Sequence, residues 1–498
     1  MRLRPLRIAL DPELRASCGP ELAWSWRLLL TAMGRSWVEV AAEAEADIAH
    51  LGAGRGAGGT APILIRADRE RWRRRENLLL LGAEEHDGWS LLDFGGASHD
   101  PPAVTGPDGQ LVIDHDLVLQ VFWLATALAE TGWERNAHGH PQPSGPLLEQ
   151  RLFPRALASG IASRLDAALL DLGFAAGAPR WPRGKRAAAC LTHDVDYPEA
   201  VRWLEPLRVL RRRGREGLKP ALEVMAGRRS TWQFGSWTRM EERLGARSAF
   251  YFVPRKGSLH EYATGTPDSF YDITTPRFGE LFRQLDAAGA EVGLHASYHA
   301  FESEQGFAAE KARLERAAGI DVVGNRHHYL HLDPSHPEET LLMHERLGFA
   351  YDTTLGHDRH LGWRNSLALP FFPFHRRLRR EVGALQLPFA WMDQQLLQYG
   401  ALNPGEPRDL LGELVTTTAA QAGCLVVNIH EYTFDDELFP GWSRTYEALV
   451  RQLSERGDFW LATPRTVAEH WRARTEAIAA ESTGLDDGAA ARAPVRSG

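Results

Sequence analysis

A chain of 498 residues, 44% of them hydrophobic and 24% charged, has ample sequence for two folded domains and excludes a disordered polymer. Its formal net charge of −8 and pI near 6.2 exclude a general nucleic-acid binder, which needs a net basic domain or face. Cys18, Cys190 and Cys424 are scattered and odd in number, so no disulfide framework is expected.

The N-terminal MRLRPLRIALDPELRAS lacks the apolar core of a signal peptide, and no later run approaches the ~20 apolar residues that span a bilayer, so a cytoplasmic protein is expected. Residues 1–180 read as a smaller α/β domain. Strand-like LRIAL is followed by a helix around ELAWSWRLLLTAMG, a strand PILIRA and a helical DLVLQVFWLATALAETG. Nothing in this part shows ligand spacing. APRWPRGKR (178–186) has the Pro, Gly and basic composition of a linker. Three arginine-rich runs, RWRRREN (71–77), VLRRRGREGLK (209–219) and FHRRLRRE (374–381), read either as solvated helix faces or as a means of peripheral attraction to a lipid-phosphate surface.

Over residues 183–474 short apolar strands alternate with ionisable residues and amphipathic helices, the habit of a β/α barrel. The expected strands are AAACLT (187–192), SAFYFV (248–253), EVGL (291–294), VVGN (322–325), ALQLPF (384–389), CLVVNI (424–429) and FWLAT (459–463). Three expected helices, 276–289, 408–423 and 442–457, each end on glycine. The stretch 475–498, small and polar, reads as a disordered tail.

Ionisable residues recur just after these strands: THDVD after the first, HASYH after the third, RHHYLH after the fourth, WMD after the fifth, HEY after the sixth. In β/α barrels chemistry collects at the carboxyl ends of the strands, so a shared mouth is the expected active site. His295 and His299 stand four apart, which suits one metal ion if the strand gives way to a helical turn; the bland alternative is a chance pair on a surface helix. Asp194 and Asp196 alternate, so both carboxylates face one side of an extended segment. Side by side they repel unless a cation takes one as ligand, leaving the other to accept a proton; the alternative is an acidic turn or helix cap. YDTTLGHDRHLGWRN (351–365) reads as a loop at the mouth, with Asp352 a turn former and Trp363 and Arg364 placed for sugar contact. His193 reads equally as a packing residue or a substrate contact, and His327, His328 and His331 as surface histidines, with substrate contact the alternative.

THDVD, HASYH, GNRHHYL, LPFAWMD and VNIHEY, in this order, resemble the polysaccharide deacetylase family, the nodulation-factor deacetylase homology fold. The resemblance implies an α/β fold: a distorted (β/α) barrel over 183–474, preceded here by the smaller domain. It implies a hydrolase of carbon–nitrogen bonds other than peptide bonds that removes acetyl groups, chiefly N-acetyl, from a glycan, with a divalent metal ion, most often zinc. Its motifs imply Asp194 as general base, Asp196, His295 and His299 as metal ligands, and Arg326 as the residue orienting the base. They imply His430 as general acid, Leu387 and Trp391 as walls of an acetyl pocket, and Asp393 as partner of Arg326 or His430. The chain departs from the pattern in four places. Val195 separates the aspartates, Ala296 and Asn428 replace usual residues, and the third motif has histidines where proline and tryptophan are usual. Three other readings compete: an amidohydrolase of a small cyclic imide or ureide on the same barrel, a non-catalytic glycan-binding relative, and a non-haem iron oxygenase with two His and one carboxylate.

Overall fold

Two parallel sheets organise the chain in a computed structural model that describes residues 4–52, 60–95, 103–105, 109–199, 205–258, 260, 268–397 and 406–484. The first sheet comprises β1 (Leu6–Leu10), β2 (Trp37–Val40), β3 (Ile48–Gly52), β4 (Ile63–Ala67), β7 (Ala103–Thr105) and β8 (Leu111–Ile113), in the order β2-β1-β3-β4-β8-β7. All its pairings are parallel except β7–β8. Between β4 and β7 an antiparallel hairpin, β5 (Gly82–His86) and β6 (Trp89–Asp93), turns on Asp87-Gly88, both with positive φ, as a tight two-residue turn requires. The helix Pro12–Met33 starts where Asp11 accepts the N–H groups of Glu13 and Leu14, and stops at Gly34 in the left-handed conformation.

The second sheet is a curled, all-parallel (β/α) array. Its strands are β9 (Ala187–Val195), β10 (Ser248–Phe252), β11 (Glu291–Ala296), β12 (Gly324–His327), β13 (Tyr351–Asp352), β16 (Leu385–Gln386), β17 (Phe389–Met392), β18 (Cys424–His430) and β19 (Phe459–Leu461). A small hairpin, β14 (Phe374–His375) and β15 (Arg380–Glu381), lies outside it. The order β16-β13-β12-β11-β10-β9-β18-β17, with β19 against the first half of β9, leaves β16 and β17 as the two ends of the ladder, and Phe371 bridges Gln386 on β16. The expected strand 384–389 is therefore two strands. Pro388, which has no N–H for a ladder, sits where the chain steps from β16 at one end of the ladder to β17 at the other.

Other differences also have local causes. Residues 351–352, expected in a loop, form β13, because Gly324 leaves room for the Tyr351 ring: a Cβ there would lie 2.1 Å from its hydroxyl. Tyr351 then donates to buried Glu291 at 2.6 Å. The expected disordered tail is ordered in its first part. Residues 475–480 complete the helix Pro464–Ala480, and Thr483 bridges to Val38 of β2; residues 485–498 lie outside the described residues. The segment 178–186 is packed, with Trp181 buried between Trp460 and Trp471. The two sheets share one apolar core in which Trp24 and Phe122 meet Phe374.

The arginine runs 71–77 and 374–381 are solvated faces and staples rather than free basic patches. Arg75 and Arg379 both reach Glu21, at 2.8 and 2.7 Å, and Arg380 reaches Glu345 at 2.8 Å. The three cysteines are free and buried, and no described helix is long and apolar enough to cross a membrane.

Candidate metal and catalytic centre

Alternation along β9 sends Thr192 and Asp194 toward the barrel interior and His193 outward, where it meets Glu241 at 2.8 Å and stacks on Phe250. Asp194 lies opposite His430 of β18 in the strand register, and His295 of β11 opposite Arg326 of β12. A cavity of about 940 Å³ opens at these strand ends, lined by Asp194, Asp196, His295, His328 and His430.

Asp194 is fixed at both oxygens. Arg326 donates to Oδ1 at 2.8 Å and Asn428 to Oδ2 at 2.6 Å. Burial works against its charge, but the Arg326 guanidinium, then His295 and His430, hold its carboxyl below the usual range. Arg326 is itself wholly buried, held by Thr192 and Thr353 and faced by the rings of Tyr251 and Phe389. A carboxylate so held has one orientation.

Asp196 has the opposite surroundings. Its Oδ1 is buried with no hydrogen-bond donor, yet faces His295 Nε2 at 3.6 Å and His328 Nε2 at 3.5 Å. The three ligand atoms lie within 4.8 Å of one another. His295 donates from Nδ1 to the Arg326 carbonyl at 2.9 Å, which turns its Nε2 lone pair toward Asp196, and His328 has Nδ1 at 3.5 Å from Asp268. An undonated carboxylate oxygen and two imidazole nitrogens, each ring anchored from behind, fit a divalent cation with open positions. Burial raises the Asp196 carboxyl, but His328 and then His295 hold it well below the usual range; against burial, Asp196 and Asp268 push His328 up to about 9.

His430 presents Nε2 at 3.6 Å from Asp196 Oδ2, while Asp393 accepts from its Nδ1 at 2.7 Å and from its backbone N–H at 2.8 Å. Burial lowers its proton affinity, but Asp393 foremost raises it, to about 10. Asp393 thus partners His430, and Arg326 partners Asp194. Glu431 accepts the backbone N–H groups of Asp196 and Tyr197, and so shapes the loop that carries Asp196.

The expected third ligand is elsewhere. His299 is 63% exposed and bonded to Glu302 at 2.8 Å. The helical turn needed to align it with His295 begins only after it, at Ala300, because Ser297 and Tyr298 are drawn off by Glu310 and Asp268. His328, expected at the surface, is buried in the mouth instead, as are His327 and His331 nearby. Left-handed turns at Tyr329 and Leu330, φ 57 and 53, fold the chain back after it.

The residues expected to touch substrate are buried outside the cavity. Trp391 and Leu387 lie in the core, as does Trp363, and Arg364 forms a bidentate pair with Glu130 at 2.6 Å beside a separate cavity of about 520 Å³. The mouth is walled by Tyr197, Tyr329, Tyr432 and Trp442, and, against expectation, by the N-terminal region through Asn136, His138 and His140. Asn136 is anchored on Asp358 at 3.1 Å and His138 on the Tyr298 hydroxyl at 3.0 Å.

No protein-family model and no curated protein matches the chain. Among solved structures the chain is similar to Puue allantoinase, at 16% identity over 60% of this chain and 96% of that one, with a TM-score of 0.40. It is similar to a probable polysaccharide deacetylase from Pseudomonas aeruginosa PAO1, at 15% identity over 61% of this chain and 97% of that one, with a TM-score of 0.39. It is also similar to the polysaccharide deacetylase Bc1974 from Bacillus cereus, at 12% identity over 56% of this chain and 91% of that one, with a TM-score of 0.27. At these identities and scores the likeness assigns no chemistry.

Proposed function

We propose that the chain is a metal-dependent hydrolase that removes acetyl groups, chiefly N-linked, from a glycan. The observation that carries this reading is the meeting, in one cavity, of a fixed carboxylate, Asp194, and an imidazole held on Asp393, His430, both within 4 Å of members of the Asp196–His295–His328 donor set. A divalent cation held by Asp196, His295 and His328, with zinc the first candidate for two imidazoles and a carboxylate, supplies Lewis-acid polarisation of an acyl carbonyl.

The protein's own groups do the proton work. Asp194, ionised at neutral pH and locked by Arg326 and Asn428, takes a proton from the attacking water. His430 keeps its Nδ1 proton on Asp393, so the proton it can give is at Nε2, facing the cavity, where an amine leaves only once protonated. The tyrosines and Trp442 of the wall offer rings for sugar stacking, and a cavity of about 940 Å³ has room for more than a small cyclic imide.

The test is acetate release from N-acetylated oligosaccharides with added zinc. The wild-type chain is expected to release acetate, and Asp194→Asn to lose about 10²–10⁴-fold in rate while still binding metal. Turnover of a cyclic imide with no acetate from any glycan would overturn the proposal.

A further inference from the structure

The run 209–219 is the one arginine cluster that neither the core nor the reaction absorbs. It lies in two short helices, Glu205–Arg213 and Leu218–Met225, folded on the rim of the cavity. Their inner face buries Val209, Ala221 and Val224 against Leu438, Phe439 and Trp442. Their outer face carries Leu207, Leu218, Leu222 and Met225, each more than half exposed; these are four of the eight large apolar side chains left exposed among the described residues. The spacing 218, 222, 225 places three of them in one stripe. Arg211, Arg215 and Lys219 are exposed among them. Residues 205–229 hold eight basic and three acidic side chains, a net of +5 in a chain whose formal net charge is −8.

We propose that this helix pair docks on the surface of an anionic phospholipid bilayer, with the leucines and Met225 entering the interface and Arg211, Arg215 and Lys219 meeting lipid phosphates. Apolar side chains ringed by cations are the composition of an interfacial helix, whereas an ordinary soluble surface disperses its exposed leucines. Charge argues against a second copy as occupant, since a two-fold contact would set +5 against +5. The first helix places Glu205, Arg208 and Arg213, and the turn between the helices places Glu216, in the cavity wall, so docking brings the mouth to the bilayer. The inference is independent of the reaction proposed above.

The test is co-sedimentation of the full chain with vesicles of equal parts phosphatidylglycerol and phosphatidylcholine, against vesicles of phosphatidylcholine alone. The chain is expected to bind the anionic vesicles, to release in high salt, and to bind neutral ones weakly. The triple variant Leu218→Ser/Leu222→Ser/Met225→Ser is expected to lose at least ~10-fold in partitioning, and Arg211→Glu/Arg215→Glu/Lys219→Glu to lose binding to anionic vesicles. All these side chains point to solvent, and an unchanged thermal transition confirms that the variants fold. No binding to anionic vesicles, binding indifferent to either variant, or a patch that governs only self-association in sedimentation would overturn the proposal.

Discussion

Asp194 and Asp196 are two residues apart and chemically identical, and their neighbours give them different surroundings. Asp194 is saturated by Arg326 and Asn428, whereas Asp196 has an oxygen with no donor and two imidazoles before it. Val195 makes this division: as the odd residue of an extended strand it turns into the core, so both carboxylates reach the mouth. The consequence is a distinct metal content for each variant. Asp196→Asn and His328→Ala are expected to lose bound zinc, while Asp194→Asn and His299→Ala keep it, as measured by metal analysis after dialysis. Zinc retained by His328→Ala and lost by His299→Ala would reverse the ligand assignment. The aspartates were legible in the sequence because a strand has a fixed period of two. The second histidine was not, because which turn follows a strand depends on Glu310 and Asp268, far along the chain.

At the scale of elements, β12 and the helix Pro337–Arg346 meet through a buried histidine pair. His327 and His344 have Nε2 atoms 2.9 Å apart, packed against Phe307 and, for His344, Phe349. Burial lowers both, His344 to about 3. Since both folded values lie below the unfolded ~6.5, the unfolded chain takes up protons first as pH falls. The share of stability that rests on neutral His344 is therefore full above pH ~6.5 and lost as pH falls toward 3, by at most about 1.4 kcal/mol per pH unit. Urea unfolding at pH 7 and pH 5 is expected to show a shallower loss in His344→Gln than in the wild type; equal slopes would refute this. Most strands and the three helices were legible element by element, since periodicity is local. Two of the helices stop at the expected glycines, Gly289 and Gly457, whereas the third stops at Ala420 with Ala422 rather than Gly423 in the left-handed conformation. The split of 384–389 into β16 and β17 was not, because it depends on which edge each half joins.

For the whole molecule, the N-terminal region is part of the barrel's structure and of its mouth. Trp24 donates to the Phe372 carbonyl at 2.9 Å, Arg364 pairs with Glu130 with both nearly out of water, and His138 lines the cavity. Calorimetry is expected to show one cooperative unfolding transition; two resolved transitions would show separable domains. Glu130→Ala leaves the Arg364 charge buried and unpaired, and is expected to cost about 3–5 kcal/mol in denaturant unfolding. A cost under about 1 kcal/mol would place the pair in effective contact with solvent.

The sequence by itself determined the α/β order, the barrel-type fold, and the gathering of Asp194, Asp196, His295 and His430 at the ends of neighbouring strands. These follow from short-range rules: strand period, helix period, and the tendency of parallel strands to present polar residues at one end. Only the tertiary structure decided that His328 rather than His299 joins the donor set, that Trp391, Leu387, Trp363 and Arg364 are buried away from the cavity, and that residues 136–140 wall it. Each of these depends on contacts between segments distant in the chain, and side-chain direction after a strand end is set by such contacts rather than by the local sequence.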